Sequence, residues 1–243
     1  MLAEALVHLR SLAATPRGYR RYLGEAVGLW ARGVRQNDAW MPHIAETRDL
    51  LDTTIDDIGS RRTVAVLGSG PLFDVPVESL ARTFSTVLLV DRAHLTTIDE
   101  RTRRYDNIRL EWRDLSSATT NEPLRFLGAI ADLDWVVSVN LLSQLARAAP
   151  DGEERGVVEH HLKGLATLPC PVTLITDIDY RVVDKSGMIR EEQDLMYGHP
   201  MPRPDETWKW EVAPFGEESS ETRRVHQVVA WYDWRKTVTY PAG

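Results

Sequence analysis

The chain lacks several things, and each absence narrows what it can be. It has one cysteine, Cys170. A single thiol forms neither an internal disulfide nor a cysteine-rich metal site. Cys170 precedes Pro171 and an apolar run, which marks it as a small buried hydrophobe rather than a nucleophile. No stretch approaches the roughly 20 apolar residues of a membrane span. Residues 1–12 include Glu4 and Arg10 and lack the unbroken apolar core of a secretion signal. A cytoplasmic protein with no membrane partner is expected. No set of His, Asp, Glu or Cys has the spacing of a known metal site, so no metal is expected. There is no repeat and no low-complexity tract. Nor is there a cationic excess: 29 Lys and Arg stand against 36 Asp and Glu, a formal net charge of -7. Such a surface has no general attraction for phosphate backbones, which makes nucleic acid a poor partner. The short clusters Arg101, Arg103, Arg104 and Arg223, Arg224 read as solvated surface.

What is present is ordinary globular material. The 243 residues are 43% hydrophobic, enough for one α/β domain with a small cap. Residues 1–60 carry helical periodicity only. Leu2, Leu6, Leu9 and Leu12 outline one helix, and a break follows at Pro16-Arg17-Gly18. Tyr22, Leu23, Val27, Trp30 and Val34 outline a second helix. A third is expected from Pro42 to Ile58, ended by a Gly59 cap. From Thr63 the rhythm changes. Apolar runs at 63–67, 87–90, 108–112, 135–139 and 172–176 alternate with helical segments at 75–84 and 157–168. That is the signature of a parallel sheet covered on both faces. Residues 207–212 and 225–233 follow as strands. The link between them is too short for a helical crossover, so an antiparallel hairpin is predicted.

Most of these strands end on a polar residue at the carboxyl edge, where ligands bind in open α/β sheets. The first strand leads into Gly68-Ser69-Gly70-Pro71-Leu72, a turn that a ligand can approach closely. The helix after it is expected to aim amides at the same space. Asp91 ends the second strand, where a carboxylate accepts both hydroxyls of a ribose; a helix cap is the alternative role. Asp114 and Asn140 end the third and fourth. A dinucleotide fingerprint needs a small residue where Phe73 stands, which counts against a nicotinamide cofactor.

These motifs together resemble the class I S-adenosylmethionine-dependent methyltransferases: Val64-Ala-Val-Leu-Gly68-Ser-Gly70, Leu88-Leu-Val-Asp91, Glu111-Trp-Arg-Asp114-Leu and Asp134-Trp-Val-Val-Ser-Val-Asn140. The likeness spans residues 63–234. It implies a Rossmann-like, doubly wound, seven-stranded and mostly parallel sheet with a C-terminal antiparallel hairpin. Residues 1–60 would form a helical cap and 61–243 the methyltransferase domain. It implies S-adenosylmethionine as cofactor, held by Gly68, Ser69, Gly70, Pro71 and Leu72 at the methionine moiety. Asp91 and Arg92 would take the ribose, Asp114 and Leu115 the adenine, and Asn140 would lie near the reacting methyl. Two positions depart from the family pattern. Val66 stands where an acidic residue is usual and Leu72 where a third glycine is, with Asp74 near enough to replace part of the carboxylate.

Methyl transfer is an in-line displacement, for which a protein aligns the nucleophile and removes a proton where one must leave. Asp179, Tyr180 and His199 are the catalytic candidates, and Trp40, His43 and Tyr197 the substrate-binding ones. His94 is a further candidate for the ribose pocket, while His160 and His161 read as partly exposed helix residues. Trp208 and Trp210 on one strand are expected to pack across to Trp231 and Trp234. The leading reading is methyl transfer to a small-molecule acceptor. The second, motivated by Val66 and Leu72, is a fold of this kind that binds a ligand or partner without catalysis.

Overall fold

The computed structural model describes residues 2–116 and 124–237. Five strands form the parallel part of one sheet: β1 (Thr63–Leu67), β2 (Thr86–Asp91), β3 (Ile108–Trp112), β4 (Leu133–Val139) and β5 (Val172–Asp184). Three antiparallel strands extend it, namely β6 (Ile189–Asp194), β7 (Glu206–Ala213) and β8 (Thr222–Trp231). The order is β3-β2-β1-β4-β5-β8-β7, with β6 paired to β5. The chain runs outward from β1 through β2 and β3, then returns to place β4 on the other side of β1. This is a Rossmann-like doubly wound sheet with a reversal between β1 and β4. All five residues of β1 and all but Asp134 of β4 are buried, as strands covered on both faces require.

Helices cover both faces. On one side lie α1 (Leu2–Ala14), α2 (Leu23–Arg35), α3 (Asn37–Asp57), α4 (Val77–Thr83) and α5 (Thr96–Thr102). Leu23, Val27, Leu51 and Ile55 from this N-terminal group share one apolar cluster with Val64, Val66, Leu89 and Val137 of the sheet. The other side carries α6 (Leu142–Arg147), α7 (Glu154–Ala166) and the short α8 (Trp234–Thr237). Leu145, Val158, Leu162 and Trp234 pack there on Leu67, Val136 and Leu174.

The structure corrects the sequence reading in several places. The third helix starts at Asn37, five residues before Pro42. Proline there removes one donor to Asp38, and both residues are exposed, so water takes the donor's place. The earlier start buries Trp40, whose indole donates to the Val212 carbonyl at 3.1 Å. Its end is not a glycine cap. Ile58 turns extended, and the Arg61 guanidinium donates to the Ile55 and Ile58 carbonyls. The fifth strand does not stop at Asp177. It continues to Asp184 past a bulge between Asp177 and Asp179, because β8 on one side and β6 on the other satisfy its backbone. The sheet therefore has eight strands among the described residues rather than seven. The expected hairpin is present as β7 and β8. Its tryptophans divide between faces: Trp208 and Trp210 lie with the N-terminal helices, while Trp231 meets Trp234 edge-on at 5.1 Å on the other side.

His161 is also not exposed. It is 2% accessible, within 3.2 Å of the Ser138 hydroxyl, and burial pushes its pKa down to about 4 from 6.5. The unfolded chain therefore binds a proton that the folded one refuses. The stabilisation is complete above pH 6.5 and is lost as pH falls towards 4, on the order of 3 kcal/mol. Denaturant titrations across that window should show this slope in the wild type and a flatter one in His161→Gln, which can still reach Ser138.

Candidate functional site

A cavity of about 670 Å³ opens at the carboxyl edge of the sheet, beside the reversal between β1 and β4. That lies within the roughly 300–1,000 Å³ of small-molecule sites. Gly68, Gly70, Pro71, Asp91, Arg92, Asp114, Leu115 and Asn140 all line it. Ser69 and Leu72 do not; both are buried beneath the turn.

The turn is shaped by close packing. Gly68 has φ +74°, and a Cβ there would lie 2.8 Å from the Leu141 Cβ and 2.9 Å from the Val139 carbonyl oxygen. Gly70 has φ +49°. Leu72 adopts φ 62° although it is not glycine, and its side chain is fully buried in the core. The turn thus keeps a left-handed residue at that position and uses the side chain as filling. Val66 is fully buried between its partners Leu89 and Val137 and does not line the cavity.

The hydrogen bonds of the turn decide which ligands it suits. The Gly68 and Ser69 amides donate to the Val90 carbonyl, at 3.0 and 3.4 Å. The Gly70 amide donates to Asp91 Oδ2 at 2.9 Å, and Leu72 to the Ser69 carbonyl. Pro71 has no N–H. The following helix begins only at Val77 and does not line the cavity. The expected cradle of amides is therefore absent from this turn. Asp91 Oδ1 accepts one further bond, from the Ala93 amide. A carboxylate offers about four lone-pair positions, so each oxygen of Asp91 retains one. Asp114 accepts from the Ser116 amide and hydroxyl and from the Tyr22 hydroxyl. Burial alone would raise its pKa, but these hydrogen bonds hold it below its ordinary value.

Helix α2 forms the opposite wall. Gly24 and Gly28 line the cavity from this helix, together with Arg32 and Arg35. Its start is tied by Glu25 to Arg92 at 2.7 Å, and Tyr22 just before it lies under the Arg92 guanidinium. Its end is tied by Arg35 and Gln36 to Glu217 in the β7–β8 connection, at 2.8 and 2.7 Å.

Asn140 has φ 47° and donates from Nδ2 to Asp74 at 2.7 Å. Trp208 is a pure donor and gives its indole proton to His43 Nδ1 at 2.9 Å. His43 Nε2 lies 3.1 Å from Asn140 Nδ2 and 3.7 Å from Asp74 Oδ2. Burial works to raise Asp74, but His43 and Asn140 hold it below the usual carboxylate range. Asp74 thus anchors Asn140 and α3 rather than replacing a cofactor carboxylate. Asn140 is 7% accessible and its Oδ1 is buried without a protein partner.

Past Asn140 the cavity is lined by Ser143, Asp177, Trp210 and His226. His226 Nδ1 lies 2.6 Å from Asp177 Oδ2, and the Ser143 hydroxyl donates to the other oxygen of Asp177. Burial would raise Asp177, yet the hydrogen bonds from His226 and Ser143 keep it below its ordinary value.

The residues chosen as catalytic or substrate-binding do not line this cavity. Asp179 lies past the bulge, opposite Asp194 and Gln227. Tyr180 stacks on His226 at 5.4 Å but spends its hydroxyl on Glu191 and Gln193 of β6. His199 is 3.4 Å from Glu159 on α7, and Tyr197 packs on the α7 side of the sheet. Trp40 and His43 stand behind Trp210, with His43 stacked on it at 4.1 Å. His94 is buried against the Glu111 carbonyl. Sequence reasoning missed Tyr22, Ser143 and His226. A signal for His226 did exist: strand alternation puts it on one face with Val228 and Ala230, so it points at the core.

No protein-family model matches the sequence, and comparison with curated proteins gives no match. Solved structures of similar fold include the N-methyltransferase NodS of Bradyrhizobium japonicum with S-adenosylhomocysteine, at 16% identity over 74% of this chain and 83% of that one, TM-score 0.39. Another is the 1,6-didemethyltoxoflavin-N1-methyltransferase of Burkholderia thailandensis, at 14% identity over 89% and 91%, TM-score 0.44. The 23S rRNA methyltransferase ErmE is similar at 10% identity over 75% and 67%, TM-score 0.33. The likeness is one of fold, and the chemistry of the site rests on its own residues.

Gly68 is the position where the geometry is least forgiving. Gly68→Ala must both hold a left-handed alanine and press on Leu141 and the Val139 carbonyl, at a cost of about 2–4 kcal/mol. Chemical denaturation should show that loss, whereas Gly28→Ala, with open space around it, should change stability by less than about 1 kcal/mol.

Proposed function

We propose that the chain is an S-adenosylmethionine-dependent methyltransferase acting on a small-molecule acceptor. One observation carries the reading. The turn after β1 spends every amide it has on Val90, Asp91 and Ser69, and it shares its cavity with the carboxylates of Asp91 and Asp114. This wall accepts hydrogen bonds and offers no backbone N–H of the turn to a pyrophosphate. It suits a ligand that brings its own donors: an ammonium group, two ribose hydroxyls and an adenine amine.

The residues fit that cofactor. Gly68 and Gly70 leave backbone open at the methionine end. Asp91 has one free acceptor position on each oxygen for the ribose. Asp114, with Leu115 beside it, closes the adenine end, and Tyr22 fixes the carboxylate's orientation. Asn140 Oδ1, buried and unpartnered, awaits a donor near the methionine end. Bound there, the cofactor would supply an electrophilic methyl on a sulfonium. The protein's share is to orient an acceptor in line with it and to keep water out. A cavity of 670 Å³ is in the range of sites for small molecules, which supports a small acceptor.

Titration calorimetry with S-adenosylhomocysteine tests the reading. The wild type should bind it. Asp91→Ala removes hydrogen bonds to a charged group, worth about 1.5–3 kcal/mol, and should weaken binding roughly 10- to 100-fold. Absence of binding to the wild type, or an unchanged affinity in Asp91→Ala, would refute it.

A further inference from the structure

The acceptor end of the cavity holds an arrangement that cofactor binding does not use. His226 projects from β8 and Asp177 from β5, two strands paired antiparallel. Their side chains meet at 2.6 Å. Asp177 is held below its ordinary carboxylate range by His226 and Ser143, and with this carboxylate as acceptor a neutral His226 presents Nδ1–H to it and its lone pair on Nε2. His226 is 8% accessible, lines the cavity, and its Nε2 has no protein partner. In a purely structural role such an orphan is a desolvation penalty with nothing returned. A carboxylate that fixes a histidine tautomer and leaves the far nitrogen open to a ligand cavity is the arrangement of an oriented general base.

We propose that His226, positioned by Asp177, is the general base of this site and that the acceptor is a protic nucleophile, a hydroxyl or an aromatic N–H. The inference rests on the methyltransferase reading above. In the step, the acceptor oxygen or nitrogen bonds to the methyl carbon as the carbon–sulfur bond breaks and its electron pair stays on sulfur. The acceptor's proton moves to His226 Nε2. Positive charge therefore leaves the sulfonium and arrives on an imidazolium 2.6 Å from the Asp177 carboxylate, which stabilises it. The imidazolium then returns its proton to solvent. A thioether or tertiary amine has no proton to give and would gain nothing from this base.

The surroundings of the ring agree. From β5 it faces Asp177 and the ring of Tyr180, with the charge of Asp179 farther off beyond the bulge. From β7 it faces Trp210, whose ring centre is 6.1 Å away. The Ser143 hydroxyl reaches it only through Asp177. The nearby cation Arg224 lies over Tyr180 and is paired with Glu218. No unneutralised positive charge among these groups opposes protonation of the ring.

The test has three readouts. Nitrogen NMR of the histidines in the free protein should show His226 as the Nδ1–H tautomer at neutral pH, and Asp177→Asn should disturb that assignment. An Nε2–H tautomer in the wild type overturns the proposal. S-adenosylhomocysteine should bind His226→Gln and His226→Asn as it binds wild type; failure of the wild type to bind would instead sink the methyltransferase reading itself. Methyl transfer is then measured by mass spectrometry to catechol, simple phenols and benzimidazole, with dimethyl sulfide and trimethylamine as aprotic controls. The wild type should methylate a protic member, more slowly as pH falls. The His226 variants should lose about 10²–10⁴-fold and that pH dependence. Equal rates in wild type and either variant, transfer to the aprotic controls alone, or binding with no protic acceptor methylated would each overturn it.

Discussion

The site depends on how closely two loops approach at the reversal of the sheet. The turn after β1 sits against the end of β4, and Gly68 permits this because any Cβ would collide with Leu141 and the Val139 carbonyl. With those loops in contact, the ends of β2 and β3 fall on one side of the crevice and those of β4 and β5 on the other. Asp91 and Asp114 are thereby collected at one end of a cavity, and Asp177 with His226 at the other. Leu72 shows the same constraint met differently. It holds a left-handed backbone without being glycine and recovers the cost by filling the core beneath.

Helix α2 closes this crevice by its ends rather than its middle. Tyr22 and Glu25 engage the β2 and β3 side, and Arg35 and Gln36 engage Glu217 of the β7–β8 connection. Gly24, beside the first ties, and Gly28, between the two sets, present no side chain to the space. Wall and vacancy therefore come from one segment. The polar ties set how far the helix stands from the sheet, and the glycines set how much room that leaves.

Much of the strand layout could be read from the sequence. The apolar runs at β1, β2, β3 and β4 are bounded by glycine or polar residues, and their limits agree with the structure within two residues. The motifs at their carboxyl ends were legible for the same reason: in a parallel sheet, chain direction alone brings Gly68, Asp91, Asp114 and Asn140 to one edge. The Asp177–His226 end was not legible. It arises from the register of β5 on β8, between residues 49 apart, and from a bulge that turns Asp179 away while Asp177 stays inside. The apolar run ends at Thr176, so Asp179 and Tyr180 read as ligand-facing residues beyond the strand. A second strand on each flank makes that stretch sheet instead. His161 misled for a related reason, since periodicity places a residue on a helix face but does not say that Ser138 stands opposite.

The strand β6 has a consequence for the molecule's behaviour in company. It covers the far side of the β5 extension, and its own outer side becomes the open edge, with backbone groups that no other described strand pairs. All six of its residues are exposed, and Arg190, Glu191, Glu192 and Asp194 are charged. Another strand approaching in register would have to strip water from that row and lay its own side chains against it. The ribbon that extends the sheet past Asp177 thus carries its own guard against aggregation.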